Sequence, residues 1–343
     1  MGFDFRVAGV LMGTFKVAVI GAGVAGLTCA KRLHSEGAEV TVFEKSRGPG
    51  GRVSTRREEG GSSFDHGAQY FTIKSRGFER EVSLWESAGA VAKWPGRVGV
   101  LKDGNITSEV PMRPRWVGTP GMSAIGRHLA QGLNLITRAR VVELLKNGSK
   151  WQLQLEGQGL STKFDAVVIS CPGPQAVRLL PEGTVSSRLA SGLDYSPCWA
   201  GMAHFRSPLF EEYDAFRSKE GAIGWCCREV SKPGRAEGER WVLHASPAWS
   251  RKALEFERHE VEAAFSDFCE TLFSVRPESI TAHRWRFALA DRPAQSHPPA
   301  VFEPDFGIGL CGDGLVSPRI EGAWLSGVAI AGELMSWRAA LCV

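Results

Sequence analysis

Six consecutive residues near the start of the chain have a spacing that brings the backbone close to phosphate groups. Residues 21–26 read Gly-Ala-Gly-Val-Ala-Gly and fit the pattern G-x-G-x-x-G. Such glycines permit a tight turn, close approach of a pyrophosphate, and close packing of helix on strand. Glu44 follows eighteen residues later, where a carboxylate can accept hydrogen bonds from ribose hydroxyls. The pattern predicts a bound dinucleotide, contacted by Gly21, Ala22, Gly23, Val24, Ala25, Gly26 and Glu44.

A second glycine pair follows this acidic residue closely. Residues 44–52 read Glu-Lys-Ser-Arg-Gly-Pro-Gly-Gly-Arg, and Lys45 is the first basic residue in them. Gly50 and Gly51 let the chain pass close to a bound group, and Arg52 can form two parallel hydrogen bonds with a phosphate. The alternative interpretation is a flexible basic loop, since more arginines are close by.

Gly312 and Asp313 form a further turn near the C-terminus. Residues 307–312 also fit G-x-G-x-x-G, but no clean strand precedes them and no helix follows directly. We interpret that segment as a strand and a turn instead of a second dinucleotide site. A Gly-Asp pair alone is typical of an ordinary turn, so its role depends on its partnership with the N-terminal motif.

The elements around these motifs alternate between strands and helices, which predicts a βαβ unit at the N-terminus. Between about residues 181 and 293 the signals are weaker, because tryptophans, prolines and charged clusters alternate. Strands are expected over residues 16–20, 39–43, 133–145, 151–155, 164–170 and 306–311, with a hairpin turn at 147–149 and helices over 27–35 and 322–339.

Length and charge narrow the class of protein. A chain of 343 residues exceeds what one hydrophobic core usually organises, so two interleaved domains are expected. The formal net charge is only +4, and no dense block of lysine and arginine is present. We therefore expect neither nucleic acid nor a membrane surface as a partner, and a small anionic molecule fits better.

The eight cysteines are scattered and include no C-x-x-C pair, and no His/Cys pair has zinc-finger spacing. We expect free thiols in a reducing cytoplasm and no metal site. Residues 7–27 are rather apolar, but Lys16 and recurring glycines interrupt them, which disfavours a membrane helix. Residues 1–11 are expected to form a short tail.

Several of these segments resemble one flavoprotein superfamily. Residues 44–52 are similar to the E-x5-G-G-R motif of amine-oxidase-like flavoproteins. Residues 64–71, Phe-Asp-His-Gly-Ala-Gln-Tyr-Phe, resemble a segment of the renalases and their bacterial relatives. The likeness runs from about Lys16 to the C-terminus, and the remaining blocks that carry it are residues 115–123, 241–245, 249–251, 282–285 and 319–327.

This resemblance implies an α/β architecture of two interleaved domains. One is a Rossmann-type FAD-binding domain, and the other is a substrate domain built on a mixed β-sheet, as in amine oxidases and p-hydroxybenzoate hydroxylase. The FAD-binding domain would comprise residues 12–75, 120–180 and 295–343, and the substrate domain residues 76–119 and 181–294.

The resemblance also implies noncovalent FAD. Gly312 and Asp313 would form the second flavin motif, with the Asp313 carboxylate accepting a hydrogen bond from a ribityl hydroxyl. A helix beginning near Glu321 would direct its positive end at the pyrimidine edge of the flavin ring. Further cofactor contacts implied by the resemblance are Lys45, Gly51, Arg52, Gln69, Tyr70, Val141, Gly322 and Ala323.

The implied reaction is oxidation of the isomeric dihydronicotinamide dinucleotides 2- and 6-dihydroNAD(P) to NAD(P)+, with O2 reduced to hydrogen peroxide. A dihydropyridine needs no general base, because loss of hydride to flavin N5 itself restores aromaticity. Tyr70 and Trp285 are the candidate walls beside the flavin, and His244 and Arg284 are the candidate polar contacts. Plain packing is the alternative for Tyr70, His244 and Trp285.

Two other functions stay open at this point. An oxidase or desaturase of the same fold could act on an amine or a biosynthetic intermediate, and a flavin-binding scaffold or sensor would lack turnover. The chain also departs from the bacterial renalases in two places. Gly314 stands where they carry an aromatic residue after the Gly-Asp pair, and residues 286–293 are altered, so the pocket beside the flavin differs.

Overall fold

The computed structural model describes residues 14–102, 105–209, 212–291 and 297–341. The predicted tail, residues 1–11, lies outside this part. The strands are β1 (Lys16–Ile20), β2 (Glu39–Glu44), β3 (Arg56–Arg57), β4 (Ser63–Phe64), β5 (Val91–Trp94), β6 (Val98–Lys102), β7 (Asn105–Ser108), β8 (Arg115–Gly118), β9 (Asn134–Thr137), β10 (Val141–Asn147), β11 (Lys150–Leu155), β12 (Gly159–Leu160), β13 (Ala166–Ile169), β14 (Tyr195–Phe205), β15 (Ala215–Ser218), β16 (Ile223–Arg228), β17 (Glu239–Ala245), β18 (Ser279–Ala290), β19 (Ala300–Glu303) and β20 (Ile308–Cys311).

Eight helices accompany these strands in the described residues. They are α1 (Val24–Ser35), α2 (Arg76–Ser87), α3 (Ser123–Ala130), α4 (Gly173–Ala176), α5 (Val185–Ser191), α6 (Pro247–Lys252), α7 (Arg258–Phe273) and α8 (Ile320–Ala340). No described helix is both long enough and apolar enough to cross a membrane.

A six-stranded sheet in the order β19-β20-β13-β1-β2-β9 contains the N-terminal βαβ unit. The five strands from β20 to β9 run parallel, and β19 pairs antiparallel at one edge. Its central strands are almost continuously buried, as both faces of a parallel sheet require. Helix α1 begins directly after Gly23, and Gly37 with φ of 80° follows its end. The predicted Rossmann-type unit is confirmed.

The single strand expected over residues 133–145 is wrong. Arg138 has a φ of 54° and divides the segment into β9 and β10. Strand β9 closes the edge of the six-stranded sheet, whereas β10 joins a separate sheet with β11 and β12. The residues after the kink are held by backbone hydrogen bonds from Arg138 N to Ser46 O and from Ala139 N to Glu44 O, each 2.9 Å long. The hairpin turn between β10 and β11 is confirmed.

A seven-stranded mixed sheet has the order β18-β14-β17-β16-β15-β6-β7, and five of its strands, β14 to β18, lie in the region of weak sequence signals. Its long strands β14 and β18 both contain tryptophan and histidine, and β18 also contains arginine, so the alternating pattern of a strand was obscured. Helix α7 packs on this sheet, where a Cβ at Gly201 would lie 3.1 Å from the Phe265 ring. The predicted domain boundaries stay a prediction.

The C-terminal part of the fold consists of helix α8 and the two strands before it, β19 and β20. The helix packs against α1, and a Cβ at Gly327 would lie 2.3 Å from Ala25 O, so the two backbones touch. The second glycine motif forms strand β20 followed by the 3₁₀ turn Asp313–Leu315, as expected. Strand β19 was not predicted.

Candidate active site

A cavity of about 3190 Å³ lies between the carboxyl ends of the parallel strands and one face of the seven-stranded sheet. This is the edge at which open α/β sheets bind ligands. All four candidate catalytic residues line it. The predicted cofactor contacts that line it are Gly21, Gly23, Val24, Ala25, Glu44, Lys45, Gly51, Arg52, Gln69, Tyr70, Val141, Gly312, Asp313 and Ala323, whereas Ala22, Gly26, Glu321 and Gly322 do not.

Backbone alone forms the wall of the cavity at the start of α1. A Cβ at Gly51 would lie 3.4 Å from Gly23 Cα, whereas a Cβ at Gly23 would meet no atom within 4 Å. Gly50 N donates to Ala22 O at 2.8 Å, which holds the two loops together. An open cradle of glycine backbone beside a helix N-terminus fits a diphosphate, so these residues suit the predicted dinucleotide.

The Glu44 carboxylate is buried at the end of β2 and holds the glycine turn. One of its oxygens accepts from Ala22 N and the other from Ser46 N, both at 2.8 Å. Each carboxylate oxygen can accept a further hydrogen bond, so ribose hydroxyls can still bind. Gly26 supports the same turn from behind, because a Cβ there would lie 2.1 Å from Gly21 O and 2.4 Å from Ser170 Oγ. Close helix–strand packing at Gly26 is therefore confirmed.

Arg52 and Asp313, from the two sequence motifs, form a bidentate ion pair in the cavity wall. Arg52 Nη1 lies 3.0 Å from Asp313 Oδ2, and Nη2 lies 2.5 Å from Oδ1. Burial lowers the pKa of Arg52, but the Asp313 carboxylate outweighs this effect and raises it. The pair joins the glycine-rich loop to the C-terminal turn. The predicted phosphate contact of Arg52 and ribityl contact of Asp313 stay predictions.

The Glu321 side chain does not reach the cavity. Its two oxygens accept from Lys74 N and Ser75 N, each at 2.8 Å, which fixes the loop before α2. Gly322 is in tight contact with Ser317, whose backbone oxygen would lie 2.2 Å from a Cβ at 322. Among these three helix residues, only Ala323 lines the cavity. The predicted contact of α8 with the flavin would therefore be made by the backbone at the N-terminus of the helix, and not by the Glu321 side chain.

Three histidines and Trp285 form one wall of the cavity. The His66 ring stacks on Trp285 with centroids 5.2 Å apart, and it meets the His283 ring edge-on at 4.8 Å. His66 O accepts from Trp285 Nε1 at 2.9 Å and from His244 Nε2 at 3.2 Å. Trp285 and His244 thus lie in the same wall, and their role beside the flavin stays a prediction. His66 and His283 were not singled out from the sequence.

This wall is uncharged at neutral pH. Burial lowers the pKa of His66 to about 3, with smaller contributions from His283, His244 and Arg56. Burial likewise lowers the pKa of His244 to about 4. His66 Nδ1 is buried without a hydrogen-bond partner in the described structure. Neutral imidazoles can donate and accept hydrogen bonds but do not neutralise a carboxylate ligand.

Tyr70 and Arg284 occupy different surroundings. Tyr70 packs between the rings of Trp94 and Trp225, with centroids 5.9 Å and 5.4 Å away. The Arg284 guanidinium donates to Leu254 O at 2.6 Å and lies over the Trp199 ring at 5.5 Å. Arg284 therefore lines the cavity while its guanidinium already has a hydrogen-bond acceptor and a ring contact. Its predicted polar contact with a ligand stays a prediction.

A buried cluster of four charged residues lies behind this wall and was missed in the sequence. Its side chains are fully buried: Asp65 forms ion pairs with Arg235 and Lys232, and Lys232 Nζ lies 2.6 Å from Glu229 Oε1. Lys232 Nζ also donates to Gln69 Oε1 at 3.2 Å. The sequence gives only a weak signal for this cluster, because Asp65 lies about 160 positions before the other three residues.

The space beside Gly314 is filled from the seven-stranded sheet. A Cβ at position 314 would lie 2.8 Å from Tyr195 Oη and 3.3 Å from Leu193. The Tyr195 ring also lies 5.7 Å from the Arg52 guanidinium. Burial raises the pKa of Tyr195 to about 12, so its hydroxyl stays protonated. No larger residue at 314 fits here without displacing this tyrosine. Residues 286–291 line the cavity, while 292 and 293 lie outside the described part.

A Rossmann-type sheet with a glycine cradle, facing a mixed sheet across a large cavity, is typical of the dinucleotide-binding α/β proteins. Comparison with protein-family models gives the family. The NAD(P)-binding Rossmann-like domain matches residues 19–85, and the flavin containing amine oxidoreductase family matches residues 78–335. The second match spans about three quarters of the chain, which therefore belongs to the flavin-containing amine oxidoreductases. With its dinucleotide-binding βαβ unit, the chain is an FAD-dependent oxidoreductase.

Individual relatives agree with this assignment. A stretch of 52 residues is 52% identical to 4,4'-diapophytoene desaturase (4,4'-diaponeurosporene-forming) of Staphylococcus aureus; it covers 15% of this chain and only 10% of that protein. Among solved structures, a candidate protoporphyrinogen oxidase from Exiguobacterium sp. has a TM-score of 0.75 at 13% identity, covering 94% of this chain and 99% of its own. Cyclohexylamine oxidase from Brevibacterium oxydans has a TM-score of 0.72 at 16% identity, covering 94% and 100%. These likenesses confirm the fold class.

Proposed function

We propose that the chain is an FAD-dependent oxidase of the renalase type, which oxidises 2- and 6-dihydroNAD(P) to NAD(P)+. The charge of the cavity is the observation that carries this proposal. Among the described lining residues, twelve are lysine or arginine and three are acidic. A cavity with this imbalance attracts anions, and its positive charge exceeds what the diphosphate of one FAD neutralises.

The three acidic residues already have partners. Glu44 accepts from two backbone amides, Asp313 is paired with Arg52, and Asp291 accepts from Ser196 Oγ at 2.8 Å. An alkylammonium substrate would therefore meet an excess of positive charge without a free carboxylate among the described lining residues. The diphosphate of a pyridine dinucleotide complements the same surface.

The side chains of the wall suit a dihydropyridine. Bound FAD would supply the hydride acceptor and the route by which two electrons reach O2. The substrate loses one hydride and becomes an aromatic pyridinium, and hydrogen peroxide forms with one further proton from solvent. No residue has to remove a proton from the substrate, which fits a wall of neutral His66, His244 and Trp285. These residues orient the ring and exclude water.

The size of the cavity also supports a dinucleotide substrate. Its volume of about 3190 Å³ exceeds the roughly 300–1,000 Å³ of a pocket for one drug-sized ligand. Two long ligands, the cofactor and a second dinucleotide, can therefore share it.

A second candidate is oxidation of an amine or desaturation of a biosynthetic intermediate. It is favoured by the family, and by the names of the relatives, which include cyclohexylamine oxidase, putrescine oxidase and a diapophytoene desaturase. Against it stands the scarcity of free carboxylates in the cavity. A flavin-binding scaffold without turnover has no such support from the family.

Location in the cytoplasm belongs to the same proposal. Seven cysteines lie in the described residues and are free thiols. Burial raises the pKa of several of them, that of Cys198 to about 12, so they remain protonated. Such thiols suit a reducing compartment.

Product analysis in air tests the proposed function. Holoenzyme is mixed with 6-dihydroNAD(P), cyclohexylamine or putrescine, and both hydrogen peroxide and the organic product are measured. We expect NAD(P)+ and hydrogen peroxide in equal amounts from 6-dihydroNAD(P), and neither amine oxidised. Peroxide formation from an amine, with 6-dihydroNAD(P) left unchanged, would support the second candidate instead.

A further inference from the structure

Three arginines on two neighbouring elements line the cavity. Arg56 and Arg57 form strand β3, and Arg127 lies in the last turn of α3. Arg56 is close enough to the wall that its charge helps to lower the pKa of both His66 and His283, after the larger effect of burial. Of the three arginines, Arg56 therefore lies near the histidine wall.

Arg57 and Arg127 lie close enough for their charges to repel each other. Burial lowers the pKa of Arg127, and the charge of Arg57 lowers it further. Arg127 is nevertheless held in place, because its Nη1 donates to Ser123 Oγ at 2.6 Å. Guanidinium groups match the geometry of phosphate oxygens, so two of them side by side, one held in place, suit a multiply charged anion.

The described structure gives these arginines no carboxylate. Arg56, Arg57 and Arg127 take part in none of its ion pairs, although Glu58 directly follows Arg57 in sequence. Glu58 is already occupied, because its Oε2 accepts from Ser62 Oγ at 2.8 Å and lies 2.8 Å from His204 Nε2. The positive charge of these three arginines is therefore available to a ligand.

We propose that Arg56, Arg57 and Arg127 form a phosphate-binding subsite that holds the diphosphate of a dinucleotide substrate. This inference rests on the proposed function and adds the residues that recognise the substrate's tail. On this proposal the subsite holds a different diphosphate from the one expected at the glycine cradle of Gly23 and Gly51, where FAD would bind. A substrate bound with its pyridine ring against Trp285 would extend its phosphates past Arg56 toward Arg57 and Arg127.

Calorimetric titration of the oxidised holoenzyme with ADP-ribose tests the subsite without turnover. ADP-ribose carries the diphosphate but no pyridine ring. We expect wild-type protein to bind it, and the double variant Arg57→Gln/Arg127→Gln to bind at least about tenfold more weakly, as loss of charge-assisted contacts predicts. The matched control is Arg276→Gln, which removes one positive charge from an exposed ion pair distant from the cavity lining. It should bind like wild type.

Two further measurements separate this subsite from the cofactor's own phosphates. FAD occupancy of the double variant should equal that of wild type. Its KM should rise for 6-dihydroNAD(P) but not for the phosphate-free dihydronicotinamide riboside. Undiminished ADP-ribose binding by the variant, absent binding by wild type, or loss of FAD from the variant would each overturn the proposal. Failure of the proposed function would be seen separately, as lack of turnover by wild type.

Discussion

At the scale of single residues, glycine backbone shapes the candidate cofactor site, and the ion pair of Arg52 with Asp313 joins its two motifs. Gly23 and Gly26 act through backbone geometry that the motif encodes locally. Arg52 and Asp313 are 261 residues apart, and no local pattern indicates that they pair. The sequence assigned each of them a contact with the cofactor, whereas the structure shows that each also fixes the other.

Replacing Arg52 tests this pairing. Arg52→Ala leaves the largely buried Asp313 carboxylate without its bidentate partner and loosens the contact between the two motifs. We expect the variant to lose most of its FAD during purification, measured as the ratio of visible flavin absorbance to protein absorbance. Arg52→Lys keeps the charge without the bidentate geometry and should retain an intermediate amount. Full FAD occupancy in Arg52→Ala would refute our interpretation of this residue.

At the scale of elements, the sequence identified strands that are uniformly apolar and missed the long strands of the seven-stranded sheet that border the cavity. Strand β1 is a continuous buried run, and its bounds match the prediction. Strands β14 and β18 carry polar residues toward the cavity, which obscured their alternation. The kink at Arg138 was missed because a positive φ at arginine has no sequence signature.

The close packing of α1 gives a prediction at this scale. Gly26→Ala would place a Cβ 2.1 Å from Gly21 O, so helix and turn must separate. We expect a loss of about 1–3 kcal/mol in the free energy of unfolding, measured by urea denaturation, and weaker FAD retention. Gly332→Ala in α8 is the control, because its Cβ meets nothing within 4 Å. It should stabilise by about 0.5–1 kcal/mol, so equal effects of the two variants would contradict this packing.

At the scale of the whole molecule, the buried charge cluster connects the two parts of the chain that form the cavity. Asp65 lies in the segment after β4, whereas Glu229, Lys232 and Arg235 follow β16 of the seven-stranded sheet. Burial acts against the charge of Lys232, but the Glu229 and Asp65 carboxylates raise its pKa. Through Gln69, the cluster also holds the segment that carries Tyr70.

Removing the buried lysine tests the cluster. Lys232→Met leaves the two carboxylates with one cation fewer, and breaking a buried pair in this way costs about 3–5 kcal/mol. We expect a decrease of that size in the free energy of unfolding measured by urea denaturation. Lys252→Met, at an exposed position on α6, should change it by less than about 0.5 kcal/mol. A similarly small effect of Lys232→Met would show that the cluster does not stabilise the protein.

The cavity charge is also a property of the whole molecule, since both sheets contribute to it. The substrate class inferred from this charge is tested most directly by anaerobic mixing of the FAD-loaded protein with 6-dihydroNAD(P) in a stopped-flow spectrometer. Without O2, hydride transfer is seen directly as bleaching of the visible flavin absorbance. We expect rapid and complete bleaching by 6-dihydroNAD(P), with NAD(P)+ released, and no bleaching by cyclohexylamine or putrescine. Flavin that stays oxidised with 6-dihydroNAD(P) and is bleached by an amine would contradict the renalase-type function.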